Sequence, residues 1–397
     1  MKKQTIYDID THPSTAFLRV DYNVPLDRTT NEIVDDTRIR ATIPTIRYLQ
    51  NMGTKTILCS HLGRPKGQIV PSLTMSQVAH RLESMLGEPV KLLNSFSGST
   101  IRNEVNKLSA QGIAMLENIR FRPEEEANDA LFARQLSECA EIYVNDAFGT
   151  AHRAHASTVG ITRHLPSVAG LLLKHEIEML EQITLEPERP TAVLVGGAKL
   201  SDKIGIIENL KHKIDQLLIG GGMAAPFLRA KGYGVGQSNY DEHQVNIATA
   251  LLEGSKTSKM EIILPVDVVI ADGFANNAAT RIVPTRDIDN DWILMDIGPK
   301  TVALFDAHLQ IAKTVMWNGP MGVAEFSNFA RGTSEIANRL SLRSQGISIA
   351  GGGSTSQMIH DLGLSSSYTH VSTGGGASLE FLEGKDLPAI KALLDKD

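Results

Sequence analysis

The sequence predicts an α/β protein of two Rossmann-like domains, each a parallel sheet flanked by helices, joined by an interdomain helix. Three observations carry this. Short apolar runs alternate with helix-like stretches almost throughout. Glycine corners recur directly after those runs, among them three GGG triplets at 220–222, 351–353 and 374–376. The chain has 397 residues, more than one ordinary core organises.

In order, residues 15–21 (TAFLRVD) read as a buried strand. Residues 36–51 read as a helix, with Asp35 or Asp36 as N-cap, Gly53 as stop and Pro44 as a kink. A strand at 54–60 and a helix at 76–86 follow. Next come a strand near 113–116, a helix near 128–140 and a strand at 141–145. The LPSVAG segment reads as a turn, and 171–183 (LLLKHEIEMLEQI) as one amphipathic connecting helix ended by EPERP. Beyond it, strands fall at 191–195, 216–219, 262–266, 293–296, 313–317 and 347–350, and 267–270 extends another.

Composition narrows the function. The chain is 42% apolar and 21% charged, as a soluble globular protein is. A net charge of -6 gives no reason to expect nucleic acid or an anionic membrane as partner. Cys59 and Cys139 sit in apolar contexts without metal-ligand spacing, so they read as buried thiols in a reducing compartment. The N-terminus lacks the apolar core of a signal peptide, and no stretch is long and apolar enough to span a bilayer. The expectation is a cytoplasmic protein.

Ligands of open parallel sheets bind beyond the carboxyl ends of the strands. In the first half those exits carry Asp21-Tyr22-Asn23, His61-Leu62-Gly63-Arg64, Glu117 to Arg120, and Asn145 to Gly149 running on to Arg153. Arg38 lies near the start of the first helix. Arg38, Arg64, Arg120 and Arg153 are therefore expected on one rim, where planar guanidinium forks suit phosphate and carboxylate. Asp21 and Asn23 are placed to fix a hydroxyl of the same ligand. Glu124, Glu125 and Glu126 read as a solvated helix start.

In the second half the corners suit a phosphate-rich ligand, because glycine lets backbone N–H groups approach closely and a following helix adds unpaired donors. The strand at 191–195 exits into Gly196-Gly197-Ala198-Lys199, with Lys203 one turn on. The spacing is not that of a Walker A loop, and no GxGxxG fingerprint is cleanly present. The exit at Asn318-Gly319-Pro320-Met321 offers Met321 and Val323 to a base and Glu325 to ribose hydroxyls. The remaining corners are Gly220, the segment Gly351-Gly352-Gly353-Ser354-Thr355, and Gly374-Gly375-Gly376 as backbone phosphate donors.

The segments VDYNVPL, DDTRIRATIPTIRYL, SHLGRPKG, YVNDAFGTAHRAHAST, GGAKLSDKIGIIENL, LLIGGGMA, DIGPKT, TVMWNGPMGV and STGGGASLEFLEGK resemble the phosphoglycerate kinase family, from about Arg19 to Pro388. The resemblance implies a monomeric glycolytic kinase with a wide cleft between its domains. It implies reversible phosphoryl transfer between 1,3-bisphosphoglycerate and MgADP, giving 3-phosphoglycerate and MgATP. Residues 1–168 would hold the phosphoglycerate through Asp21, Tyr22, Asn23, Arg38, His61, Leu62, Gly63, Arg64, Arg120 and Arg153, with a tail of about 385–397 packing back on them. Residues 169–189 would be the hinge. Residues 190–384 would hold the nucleotide through Lys199, Lys203, Gly220, Asn318, Glu325 and Gly351 to Thr355. Glu176 and His370 match a pair linking the connecting helix to the last corner, and Arg38 and Lys199 are the expected catalytic groups.

The chain departs from the family at two places. Ser354 stands where the family has the aspartate that ligates the nucleotide's metal, and Ala225-Pro226 stand where it has bulkier or polar residues beside the nucleotide. The serine raises an alternative, a phosphoglycerate- or nucleotide-binding homologue weakened in catalysis. A dinucleotide dehydrogenase would explain the glycine corners but none of the arginines.

Overall fold

The computed structural model describes residues 2–12, 14–27 and 29–396. The chain divides into two compact units: one runs to Glu178 and resumes at Asp386, and the other is Met179–Lys385.

The first unit contains β1 (Thr15–Arg19), α1 (Thr37–Asn51), β2 (Lys55–Cys59), α2 (Ser76–Leu86), β3 (Val90–Leu93), α3 (Gly98–Asn106), β4 (Ile113–Leu116), α4 (Pro123–Glu126), α5 (Ala130–Ser137), β5 (Ile142–Asn145) and β6 (Ser167–Ala169). Its strands form one sheet in the order β3-β4-β2-β1-β5-β6, and every pairing is parallel. Parallel strands need crossover connections, and α1 and α2 supply two of them. Their apolar stripes (Ile39, Ile46 and Leu49; Val78 and Leu82) pack on Leu18, Leu58 and Met115. LPSVAG is not a turn, because Ser167–Ala169 pairs with β5 as an edge strand.

Residues 386–396 belong to this unit. Gln4 N donates to Leu394 O at 2.8 Å, and Ala389 N to Ala151 O at 3.1 Å. α6 (Leu171–Thr184) begins in the first unit and ends in the second. Its first turn is capped by the buried Asp146, whose Oδ1 accepts from Leu172 N at 2.9 Å and Leu173 N at 3.1 Å.

The second unit contains β7 (Thr191–Val195), α7 (Ile204–Leu210), β8 (Gln216–Ile219), α8 (Ala224–Ala230), α9 (Glu242–Ser255), β9 (Glu261–Ile263), β10 (Asp267–Ala271), β11 (Thr280–Pro284), β12 (Ile293–Ile297), α10 (Pro299–Ile311), β13 (Thr314–Asn318), α11 (Arg331–Ser341), β14 (Ile347–Gly351), α12 (Gly353–Asp361), β15 (His370–Val371) and α13 (Gly376–Leu382). α14 (Pro388–Lys391) lies in the returning tail. The main sheet has the order β15-β14-β13-β7-β8-β9 and is again all parallel.

Two sequence expectations fail here. Residues 267–270 do not extend a parallel strand, and 293–296 do not join the main sheet. They lie in β10 and β12 of a separate antiparallel sheet, β11-β10-β12. An apolar run marks a buried strand but says nothing of its direction. α8 covers this small sheet, and Ala225 packs with Leu228 against Val268, Ile270 and Leu294. Ala225 and Pro226 are both buried, so Ala225 is a core residue and not the lining of an open pocket.

Candidate functional site

In each unit the parallel sheet sends several strand exits to one edge, and the candidate residues lie on those exits. In the first unit, Asp21 follows β1 and its Oδ2 accepts from Arg38 Nη1 at 2.6 Å. Asn23 Oδ1 accepts from Gly63 N at 2.8 Å, and Gly63 O accepts from Arg120 Nη1 at 3.0 Å. Exits of β1, β2 and β4 are thus tied together. Arg120 is 3% exposed, its Nε pairs with Glu126 Oε1 at 3.2 Å, and its Nη2 has no hydrogen-bond partner. A buried donor left unpaired costs about 1–3 kcal/mol, a cost that an anionic oxygen of a ligand would offset.

His61 is the electrostatic meeting point. Burial lowers its pKa well below the ordinary imidazole value, and the guanidinium groups of Arg19, Arg120, Arg153 and Arg38 lower it further. The ring is neutral and surrounded by cations. Burial also brings Arg120 down to about 10, with Arg153 adding to the effect and Glu126 opposing it, so Arg120 keeps its charge at neutral pH. Arg153, half-buried, donates from Nε to His152 Nε2 at 3.1 Å.

Not every expected residue joins this set. Arg64 is exposed, whereas Arg120 is buried and Arg38 and Arg153 are half-buried. Tyr22 is fully buried in the core, its hydroxyl 2.7 Å from Thr42 Oγ1, and Leu62 packs in the same core. Their side chains hold the exits in place from within the core.

Glu125 corrects the reading of a solvated helix start. It is 0% exposed, accepting from Ser157 N at 2.8 Å and Ser157 Oγ at 2.6 Å. The sequence reading missed Glu125, Ser157 and Arg19. The available signal was Arg19 itself, because an arginine in a buried strand needs a buried acceptor.

In the second unit the glycines do two different jobs. A Cβ on Gly196 would lie 2.2 Å from Pro320 O, and one on Gly220 would lie 2.4 Å from Met321 Sδ. These glycines let the exits of β7, β8 and β13 pack on one another. Met321 is fully buried in the core and fills that space, so it does not line a base. Gly352 has φ +97°, a conformation that favours glycine, and a Cβ there would meet nothing nearer than Asn318 at 3.5 Å. A Cβ on Gly353 would meet nothing within 4 Å, nor would one on Gly375, which has φ +52°. Gly353 and Gly375 therefore face open space, whereas Gly351 lies against Met316 and Asn318.

α12 starts at Gly353 with no side-chain cap. Beside it, Asn318 is 1% exposed, and neither Oδ1 nor Nδ2 has a hydrogen-bond partner. Thr355 Oγ1, fully buried, accepts from Gly319 N at 3.0 Å and joins the two corners. Uncapped N–H groups and an unpartnered amide converge here, as an anion site requires.

Lys199, Glu325 and Ser354 are exposed, whereas Lys203 is half-buried and its pKa is lowered by burial, against Asp202 and Glu383. Gly376 opens α13, with Gly375 before it. Glu176 lies buried on α6, and His370 opens β15. Among the described residues, no group of three or more His, Cys, Asp or Glu side chains is placed to hold a metal ion, and no helix is long and apolar enough to cross a membrane.

Comparison with known proteins agrees with this geometry. Residues 6–385 match the family model for phosphoglycerate kinase. The chain is 48% identical to the phosphoglycerate kinase of Pelotomaculum thermopropionicum over 396 residues, covering 100% of both chains. It is 48% identical to that of Dictyoglomus turgidum over 399 residues, again covering all of both. Among solved structures, phosphoglycerate kinase from Coxiella burnetii is similar with a TM-score of 0.87 and 34% identity, covering 98% of each chain.

Proposed function

The chain belongs to the phosphoglycerate kinase family, a family of glycolytic phosphotransferases, and from that premise we propose which of its residues carry the transfer. The reaction is reversible phosphoryl transfer between 1,3-bisphosphoglycerate and ADP, giving 3-phosphoglycerate and ATP. The single observation that carries the assignment of residues is the unpaired Nη2 of buried Arg120, set among exits that also hold Arg38 and His61.

The three-carbon acid is read onto the first unit. Arg38, Arg120 and Arg153 meet its phosphate and carboxylate, neutral His61 donates a hydrogen bond, and Asp21 and Asn23 fix the exits around it. The nucleotide is read onto the second unit. The α12 N-terminus and Asn318 take its phosphates, the Gly374 to Gly376 corner adds backbone donors, and Glu325 takes the ribose. Arg38 and Lys199 stabilise the charge on the moving phosphoryl group, for which positioning and electrostatics do most of the catalysis. The attacking ADP oxygen is already ionised, so synthesis of ATP needs no general base.

Magnesium is read as part of the nucleotide substrate. Ser354 offers the corner a neutral oxygen, and no protein cage for a divalent ion exists among the described residues. Mg²⁺ commonly keeps waters and relies on substrate phosphates. Substrates held on two units must be brought into contact for in-line transfer, so we take α6 as a hinge. We read the protein as a cytoplasmic monomer. Relatives bearing the kinase name at 48% identity favour this reading over a catalytically weakened homologue. Turnover in a coupled assay, compared with site variants, is the test.

A further inference from the structure

Three buried groups lie behind the residues assigned to the three-carbon acid. Arg19, Ser157 and Glu125 are exposed by 1%, 0% and 0%. They form a chain. Glu125 holds Ser157 through both carboxylate oxygens, at 2.6 Å from the hydroxyl and 2.8 Å from the backbone N–H. Ser157 Oγ accepts from Arg19 Nε at 2.9 Å. Arg19 Nη1 donates to Val20 O and, at 3.4 Å, to Cys59 O. Its Nη2 faces His61 Nδ1 at 3.5 Å.

A guanidinium has donors and no acceptor. At this contact His61 Nδ1 must therefore accept, and the single proton of a neutral ring then lies on Nε2. Asp21 Oδ1, the other group facing Nδ1, is 3.7 Å away, beyond hydrogen-bond length, and the same carboxylate is engaged by Arg38 through Oδ2. A proton on Nδ1 would point at a cation. Glu125 is the carboxylate linked to Arg19 through Ser157; burial raises its pKa, against the Arg19 charge and the two Ser157 hydrogen bonds, which favour its ionised form. His155 Nδ1 lies 3.7 Å from Glu125 Oε1, but burial first, and then the nearby arginines, bring that imidazole to about 4, so it stays neutral and leaves the carboxylate to Arg19.

We propose that Glu125, Ser157 and Arg19 are positioning residues that lock His61 as its Nε2–H tautomer, making it a one-way hydrogen-bond donor to an anionic oxygen of the three-carbon acid. The identity of the acid rests on the function proposed above; the tautomer does not. A neutral donor gives direction without adding another cation to a buried cluster of guanidinium groups.

The experiment is nitrogen-15 NMR of the full chain without ligand from pH 5 to 8, with His61 assigned by comparison with His61→Gln. The expected signature is a protonated Nε2 and a bare Nδ1 that do not change over that range. A protonated Nδ1, or a ring titrating at its ordinary value, overturns the proposal. Ser157→Ala cuts the chain in the middle. It is expected to release the tautomer preference and to raise KM for 3-phosphoglycerate roughly tenfold, with KM for ATP unchanged. Ser157→Thr, which keeps the hydroxyl, is expected to restore the signature. A folded Ser157→Ala with the wild-type signature and KM contradicts the proposal. Should that variant not fold, the wild-type signature decides alone. The signature without any kinase turnover counts against the proposed function and supports the tautomer.

Discussion

Arg38 Nη1 donates to Asp21 Oδ2 at 2.6 Å, so a residue in the first turn of α1 is anchored to the exit of β1. This ion pair fixes where the guanidinium stands, and the function proposed above assigns that guanidinium to the charge on the transferring group. Arg38→Ala is expected to lower kcat by roughly 100- to 1,000-fold, the scale for losing one preorganised charge donor. Asp21→Asn keeps an acceptor and is expected to cost less. Steady-state kinetics with both substrates varied checks the order; equal losses would mean that the pair acts as a structural unit.

Asn318 carries two unpartnered polar atoms at 1% exposure. Removing them costs the free protein little, because no hydrogen bond is lost. Asn318→Ala is therefore expected to leave Tm nearly unchanged and to weaken ADP binding about tenfold, one lost hydrogen-bonding group. Calorimetric titration and a thermal melt read the two effects separately. A large fall in Tm with unchanged ADP affinity would make Asn318 a packing residue.

Ser354 is exposed in the first turn of α12. Ser354→Asp adds a carboxylate where the chain has a hydroxyl. It is expected to lower the Mg²⁺ concentration needed for half-maximal rate, by roughly tenfold if the oxygen reaches the ion. A magnesium titration of activity reads it. No shift would mean that the ion is held without this position.

Two buried carboxylates make stability pH-dependent. Burial raises Asp146 and Asp296 from the ordinary 3.8 to about 7, against hydrogen bonds that lower each. In the folded state they hold protons that the unfolded chain has already released above pH 4. Their contribution is full below that pH and is lost as pH rises through about 7. Asp146→Asn and Asp296→Asn together are expected to flatten the fall in stability between pH 5 and 8. Denaturant unfolding at several pH values measures the slope, and an unchanged slope would refute the assignment.

Much of this was legible in the sequence where one pattern had one meaning. The largely apolar β2, β4, β7 and β8 were read near their true positions, and their exits carried the candidate residues. β3 was missed because its partly exposed VKLL run breaks the apolar pattern, and α3 because GSTIRNEVN is largely polar. Strand direction is invisible to hydropathy, so β10 and β12 were assigned to the wrong sheet. Three adjacent glutamates look alike in sequence, yet Glu125 alone of them is buried, because its side chain meets Ser157 from 32 residues away. The glycine corners announced close approach without saying to what: Gly196 and Gly220 approach protein, and Gly353 faces open space.

The most direct test is formation of ATP from 1,3-bisphosphoglycerate and MgADP in a coupled assay, run on the wild type, Arg38→Ala and Lys199→Ala. Robust wild-type turnover that falls by roughly 100-fold or more in each variant is the predicted result. Wild-type turnover no faster than that of Arg38→Ala would contradict the account.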